Sequence, residues 1–218
     1  RLSVYNYHRT IFTEGLVKGC QQLPRELTPE EKARNKQMLL DKGRALVYQY
    51  GIKKVSVDDV VVSAGIAKGS FYHYFSSKDD FIYEIIYQIH RELFGGLKIV
   101  AERIKPFASH ERRQTIKAFS DQFFSSKDMT FFVKEQQEVH NFLMHYSKEK
   151  MVELEEFEAQ NYRTFFDILE IKEKQPEIVQ NYVHLLGFGM FHQEMMIESH
   201  LTETVHIMLD GLMDYLEL

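Results

Sequence analysis

Apolar residues in this chain recur three and four positions apart, the spacing that lines one face of an α-helix. Thr28-Pro29-Glu30-Glu31 opens the first clear helix, with a capping Thr, a Pro in the first turn and a Glu at the third position. Met38, Leu39, Ala45, Leu46 and Tyr50 form its inner side, and Gly51 is placed to end it. From Phe81 onward, Phe81, Ile82, Ile85, Ile86, Ile89 and Leu93 keep the same period as far as Gly95-Gly96, where a kink or an end is expected. Further helices are expected near 111–126, 130–146, 148–174, 176–198 and 202–217. The last two carry apolar stripes, Val179, Val183, Leu186 and Met190 on one and Val205, Met208, Leu209, Leu212 and Leu216 on the other. Tyr182, Leu185 and Phe188 widen the first stripe. A helix that is apolar over more than one face needs more than one partner.

Between the first helix and the long one at Phe81 lies a different pattern. Ser56 is set to cap a short helix with Asp59 at its third position, and Val57, Val60 and Val61 give that helix one apolar side. Ala64-Gly65 breaks it, and Ile66 plugs the corner. The next helix holds Lys68, Gly69, Ser70, Tyr72 and His73 between the anchors Phe71 and Phe75, which share a face at four-residue spacing. Ser77 then caps the fourth helix, with Lys78 in its first turn. Two short helices around a tight turn, the second with a polar, basic and aromatic face, make a helix-turn-helix. Donors and flat rings on that face suit base edges and phosphates in a DNA groove better than a protein core.

The run V-x-x-V-V-x-x-A-G-I-x-K-G-x-F-Y-x-Y-F-x-S-K-x-x-F closely resembles the DNA-binding signature of TetR-family transcriptional regulators. The likeness strictly covers about residues 36–86, and the helical remainder agrees with it in general layout. Two positions depart from it. Ala67 stands where the family often has Ser or Thr, which removes a side-chain cap from the recognition helix, and Val61 stands where a small Ala is common. The resemblance implies an all-α chain: an N-terminal three-helix DNA-binding domain, then a helical ligand-binding and dimerisation domain. The expected boundaries are 1–27 for an N-terminal extension (an arm or an extra helix), 28–76 for the helix-turn-helix domain and 77–218 for the body.

Composition sharpens this picture modestly. Residues 1–80 hold 13 Lys and Arg against 9 Asp and Glu, whereas the remainder holds 14 against 23. A basic end and an acidic body would orient the protein on a polyanion. The single cysteine, Cys20, excludes an internal disulfide and a cysteine-rich metal site. No run of about 18 apolar residues is present, so no membrane span is expected. Residues 1–30 lack the apolar core of a signal peptide, and a cytoplasmic setting is expected.

No sequence signature of a catalytic elbow, phosphate loop or zinc hydrolase is present, so no enzyme, cofactor or metal site is expected. The ten histidines lack ligand spacing: His140 and His145 fall on different helix faces, and His184 and His192 are two turns apart. Phe, Tyr and Met crowd the middle helices, where they read first as core. The resemblance further implies that some line a cavity for a small lipophilic effector, with His140, Phe142, Tyr162 and Phe166 as candidates. It also implies a homodimer on a palindromic operator, usually as a repressor. Lys68, Gly69 and Ser70 would approach base edges. Ser56, Tyr72, Tyr74 and Lys78 would hold phosphates, and His73 would do either. The competing expectation is a TetR-like dimer that works through protein or ligand binding, with a vestigial helix-turn-helix.

Overall fold

The computed structural model describes residues 27–172 and 174–218; the extension expected over 1–27 falls almost wholly outside them. Backbone contacts divide the chain into two compact units, residues 1–37 and 38–218. In the first unit, α1 (Pro29–Tyr50) begins with a reciprocal cap: the Thr28 amide donates to Glu31 Oε2 at 2.8 Å and the Glu31 amide to Thr28 Oγ1 at 3.2 Å. Two otherwise orphaned amides are thereby satisfied.

The second unit is built around one long helix. After the C-terminal half of α1 come α2 (Val57–Ala64), α3 (Lys68–Phe71) and the 27-residue α4 (Lys78–Ile104). At about 1.5 Å per residue α4 is about 40 Å long. Its first half supplies Phe81, Ile82, Ile85, Ile86 and Ile89 to an apolar cluster shared with Leu39, Leu40, Val47, Val60, Val61, Phe71 and Phe75. Its second half supplies Phe94 and Ala101 to another cluster, formed with α8 (Lys148–Leu169), α9 (Pro176–Phe191) and α10 (Glu198–Leu216). One rigid element therefore belongs to both cores.

The helix does not stop at Gly95-Gly96. Each glycine costs only about 1 kcal/mol of helix propensity, and burial along α4 on both sides outweighs it. Gly96 instead serves packing, because a Cβ there would stand 3.2 Å from the Phe119 ring on α5 (Ser109–Phe124). A second departure is the stretch expected as one helix over 130–146. It is two, α6 (Lys127–Lys134) and α7 (Gln136–Tyr146), hinged at Glu135 with φ −105° and ψ 17°. No Gly or Pro marks the break. Glu135 sends its carboxylate to the amide of Ile52, at 3.3 Å, and packs where any side chain on Gly51 would sit. Helix α8 ends at Leu169, short of the expected 174, with Glu170 in the left-handed conformation. Helix α9 ends at Phe191, followed by a 3-10 turn, Gln193–Met195.

α4 packs on α5 and α8, α8 on α7 and α9, and α10 on α5 and α9. The inner faces of the last two helices bury Val179, Leu186, Met190, Val205, Leu209, Leu212 and Leu216. Leu185, Phe188, Met195, Ile197 and Ile207 stay between 59% and 83% exposed on the same helices and the turn between them. Among the described residues no strand occurs, and no helix is long and apolar enough to cross a membrane.

Candidate nucleic-acid interface

The helix-turn-helix is held from beneath by aromatic rings. Phe71 is fully buried and Phe75 nearly so, and their ring centroids lie 5.2 Å apart. Both meet Phe81 of α4, at 5.3 and 4.9 Å in edge-on geometry, an arrangement worth more than its area burial alone. The anchors thus fix the short helix to the start of α4.

The turn before it has the expected chemistry. Ser56 caps α2 in a complete capping box, accepting from the Asp59 amide at 3.2 Å while its own amide donates to Asp59 Oδ2 at 2.9 Å. Gly65 ends α2 with φ 68°, a left-handed conformation that costs a glycine little. Helix α3 is shorter than its sequence pattern suggests. Only Lys68–Phe71 is regular α-helix; beyond it the amides of His73 and Tyr74 bond three residues back, to Ser70 at 3.3 Å and Phe71 at 2.9 Å, and that of Phe75 four back, to Phe71 at 3.1 Å. Ala67 stands at its N-cap with no side-chain hydrogen bond. A start without a cap and a glycine at the second position both weaken a longer α-helix, and the chain passes into a turn over 72–74.

The eight residues expected to meet DNA are brought to this one region, but they differ in readiness. Lys68, Gly69, Tyr72 and His73 are exposed, with Ser70 partly so. Among the described residues nothing lies within 4 Å of where a Gly69 Cβ would be. A helical glycine costs about 1 kcal/mol relative to Ala, and here no neighbour among the described residues requires it. Close approach by something outside the chain would. Lys68 is tied to Asp58 of α2 at 2.9 Å, and that hydrogen bond raises the lysine's pKa. Tyr72 leans edge-on against Phe71 with half its surface exposed, whereas Tyr74 is partly buried against Phe75.

Ser56 and Lys78 flank this face less freely than expected. The Ser56 hydroxyl donates to Asp59 Oδ2 at 2.6 Å and its amide is used by the same carboxylate, so both of its donors serve the cap. The Lys78 ammonium donates to the carbonyl of Lys53 at 3.3 Å. At the start of α4 the Asp80 amide is taken by Ser77 Oγ at 3.0 Å, and the side chain of Asp80 turns back to Ser76. The charge on Lys78, rather than a bare helix end, is what this corner offers an anion.

Sequence reasoning passed over two features of this face. Asp58 was not foreseen as the partner of Lys68, although ten residues separate them across a two-helix corner. Lys53 and Lys54 form an exposed basic pair in the loop before Ser56. Their adjacency was the available signal. Lys53 also pairs with Glu138 of α7 at 2.7 Å.

The four residues expected to line an effector cavity do not come together. His140 is exposed on α7, and Phe142 packs on the first cluster, stacked 5.2 Å from Tyr146. Tyr162 and Phe166 lie buried in the second cluster. Phe142 on α7 and Tyr162 and Phe166 on the second half of α8 serve different cores. A cleft of about 190 Å³ opens instead beside α4, with apolar walls from Ile89, Leu93, Phe119 and Phe123 and carboxylates from Glu92 and Asp128.

Deeper in the body Glu158 is buried between His90, at 3.2 Å, and His184, at 3.1 Å. Burial opposes its charge, but the hydrogen bonds and charges of His184 and His90 prevail and hold its pKa at about 2. The same contact raises that of His184. Among the described residues no cluster of three such side chains has the arrangement of a metal site.

Comparison with known proteins agrees with this geometry. Residues 39–85 match the family model of bacterial regulatory proteins of the tetR family. The HTH-type transcriptional repressor KstR2 of Mycolicibacterium smegmatis is 35% identical over 68 residues, 31% of this chain and 33% of that protein. KstR2 of Rhodococcus jostii is 36% identical over 74 residues, 34% of this chain and 36% of that one. The match therefore spans about a third of either relative. Two solved structures share the fold over most of their length. A TetR-family transcriptional regulator from Pectobacterium atrosepticum has a TM-score of 0.63 at 16% identity, covering 87% of this chain and 97% of that one. SmeT, the repressor of the Stenotrophomonas maltophilia multidrug efflux pump SmeDEF, has a TM-score of 0.56 at 15% identity, covering 83% and 89%.

Proposed function

Starting from a TetR-family regulator in sequence over its helix-turn-helix and in fold over its length, we propose that this chain is a cytoplasmic, ligand-responsive transcriptional repressor. It binds a palindromic operator as a homodimer and leaves it when a small lipophilic effector binds. The observation that carries the DNA-binding reading is the exposed face of Lys68, Gly69, Tyr72 and His73 above the Phe71–Phe75–Phe81 anchor, with an open glycine that no described neighbour needs. In this reading residues 28–76 contact DNA, and 77–218 bind effector and the second copy.

The exposed Leu185, Phe188, Met195, Ile197 and Ile207 support the dimer. They sit on α9, the 3-10 turn and α10, and exposed apolar side chains gathered on packed elements are a usual mark of an association surface. A dimer also suits the DNA side, since one recognition helix reads few base pairs and two related by symmetry read a palindrome. For the effector, α4 is the natural lever because it belongs to both cores. The cleft at Ile89, Leu93, Phe119 and Phe123 opens on its middle turns, though at about 190 Å³ it must widen to reach the roughly 300–1,000 Å³ of drug-sized pockets. Effector binding there would swing α4 and change the spacing of the two recognition helices.

The test is a pull-down of fragmented genomic DNA from the source organism with the full chain. Enrichment of one two-fold symmetric sequence is expected. Retention of all fragments alike, or of none, would instead favour a TetR-like dimer acting through protein or ligand binding with a vestigial helix-turn-helix.

A further inference from the structure

The His90–Glu158–His184 cluster carries information in its hydrogen-bond directions. His90 Nδ1 lies 2.9 Å from the carbonyl oxygen of Ile86, one turn back on α4. A carbonyl only accepts, so Nδ1 holds a proton. The other ring nitrogen, Nε2, then faces Glu158 Oε1 at 3.2 Å. If the ring is neutral, Nε2 presents a lone pair to a carboxylate oxygen, and the two repel. The contact is attractive only while a second proton sits between them. On the other side His184 Nε2 stands 3.1 Å from Glu158 Oε2, where it donates in either charge state and adds a charge to the contact when the ring is protonated.

These three residues come from three helices: His90 from α4, Glu158 from α8 and His184 from α9. They join the long helix to the two elements it packs against or through. The groups around them are identifiable. From α8 itself, Glu155 adds negative charge near His184, and the buried Tyr162 phenol lies in the field of Glu158. From α6, the Phe132 ring meets His90 edge-on at 6.2 Å. From α7, the titratable Glu138 pairs with Lys53 and Tyr146 with Asp80, away from Glu158. From α4, the Tyr87 ring lies tilted beside Phe157 at 5.1 Å.

We propose that His90, Glu158 and His184 form a proton-loaded joint that fastens α4 to α8 and α9 and slackens as pH rises. The helical body then answers to proton concentration as well as to an effector. The joint depends on helix contacts alone, so it stands or falls separately from the DNA-binding reading. The raised pKa of His184 agrees in sign, since its charge contact with Glu158 is complete when the ring is charged and weakens as pH rises through that pKa.

The experiment is hydrogen exchange of the full chain, read at α4 amides from Gln88 to Glu92 and expressed as protection relative to the unfolded rate at each pH. Between about pH 6 and pH 9 protection is expected to fall by about tenfold. In Glu158→Gln the fall should vanish, because the amide donates to a neutral His90 Nε2 and accepts from His184 at any pH. If that variant loses its helical signal, His184→Gln replaces it and should show a smaller fall than wild type. Constant protection in wild type would overturn the joint, as would an undiminished fall in whichever variant is read.

Discussion

The Arg44 guanidinium of α1 meets both carboxylate oxygens of Glu92 on α4, at 2.9 and 2.8 Å, across forty-eight residues of sequence. Its other end reaches Asp128 on α6 at 2.6 Å, where the Tyr48 hydroxyl also donates. One side chain therefore ties α1 to both α4 and α6. Arg44 is largely buried, and without it Glu92 and Asp128 would be left with too little positive charge between them. Arg44→Met should lower unfolding free energy by about 2–3 kcal/mol, the range for hydrogen bonds to charged groups, read as an earlier urea midpoint at unchanged slope. Glu92→Gln, on the half-exposed side, should cost less than half as much.

Gly43 lies on the buried face of α1 against Phe81. A Cβ there would stand 2.0 Å from Phe81 Cζ and 2.6 Å from Cε1. Phe81 is 1% exposed and wedged between Phe71 and Phe75, so it has nowhere to move. Helix propensity favours Ala over Gly by about 1 kcal/mol, but overpacking of a tight core costs about 1–3. The clash should dominate. Gly43→Ala is expected to lower the thermal midpoint and, because it displaces the ring under the recognition helix, to weaken DNA binding as well.

Asp58 holds Lys68 in the free protein and places a negative charge on the face that would meet DNA. Asp58→Asn should therefore raise affinity for all duplexes by a few-fold, with little effect on stability because the pair is exposed. Lys78→Ala should weaken every sequence alike and shallow the salt dependence by about one unit of slope. Fluorescence anisotropy at two or more salt concentrations separates the two effects.

How much of this was readable beforehand depended on whether the cause was local. The Ser56–Asp59 capping box, the Gly65 turn and the Phe71–Phe75 anchors follow from neighbours in sequence, and they stand as expected. The uncapped start at Ala67 is equally local, but the early end of α3 at Phe71, followed by a turn, is not written in it. The break at Glu135 was invisible because it is made by a carboxylate reaching a loop more than eighty residues earlier. The same holds for Lys68 and Asp58, whose pairing needs the crossing of α2 and α3. His140, Phe142, Tyr162 and Phe166 failed to converge because residue type reports a taste for cores without saying which core. Glu158 closes the charged run from Lys148, whose Glu and Lys at helical pairing distances read as a solvated face, and only the approach of α4 and α9 distinguishes it.

The acid limb of stability should carry the signature of Glu158. Its pKa in the folded chain is about 2, below the ordinary carboxylate range. A depressed pKa contributes stability that is present above the unfolded value of about 4.3 and is lost as pH falls through the folded one. Thermal unfolding followed from pH 5 down toward 2 should show a steeper decline for wild type than for Glu158→Gln. Parallel curves would mean that the carboxylate gains nothing from its two histidines.

The central claim is that the face around Lys68 and Gly69 reads DNA. Selection from a random duplex library with the full chain, in parallel with Lys68→Ala, tests it most directly. The expected result is a two-fold symmetric consensus for wild type, with preference at one position in each half-site relaxed by about tenfold or more in Lys68→Ala. No consensus from wild type, or an identical consensus from both proteins, would contradict the account.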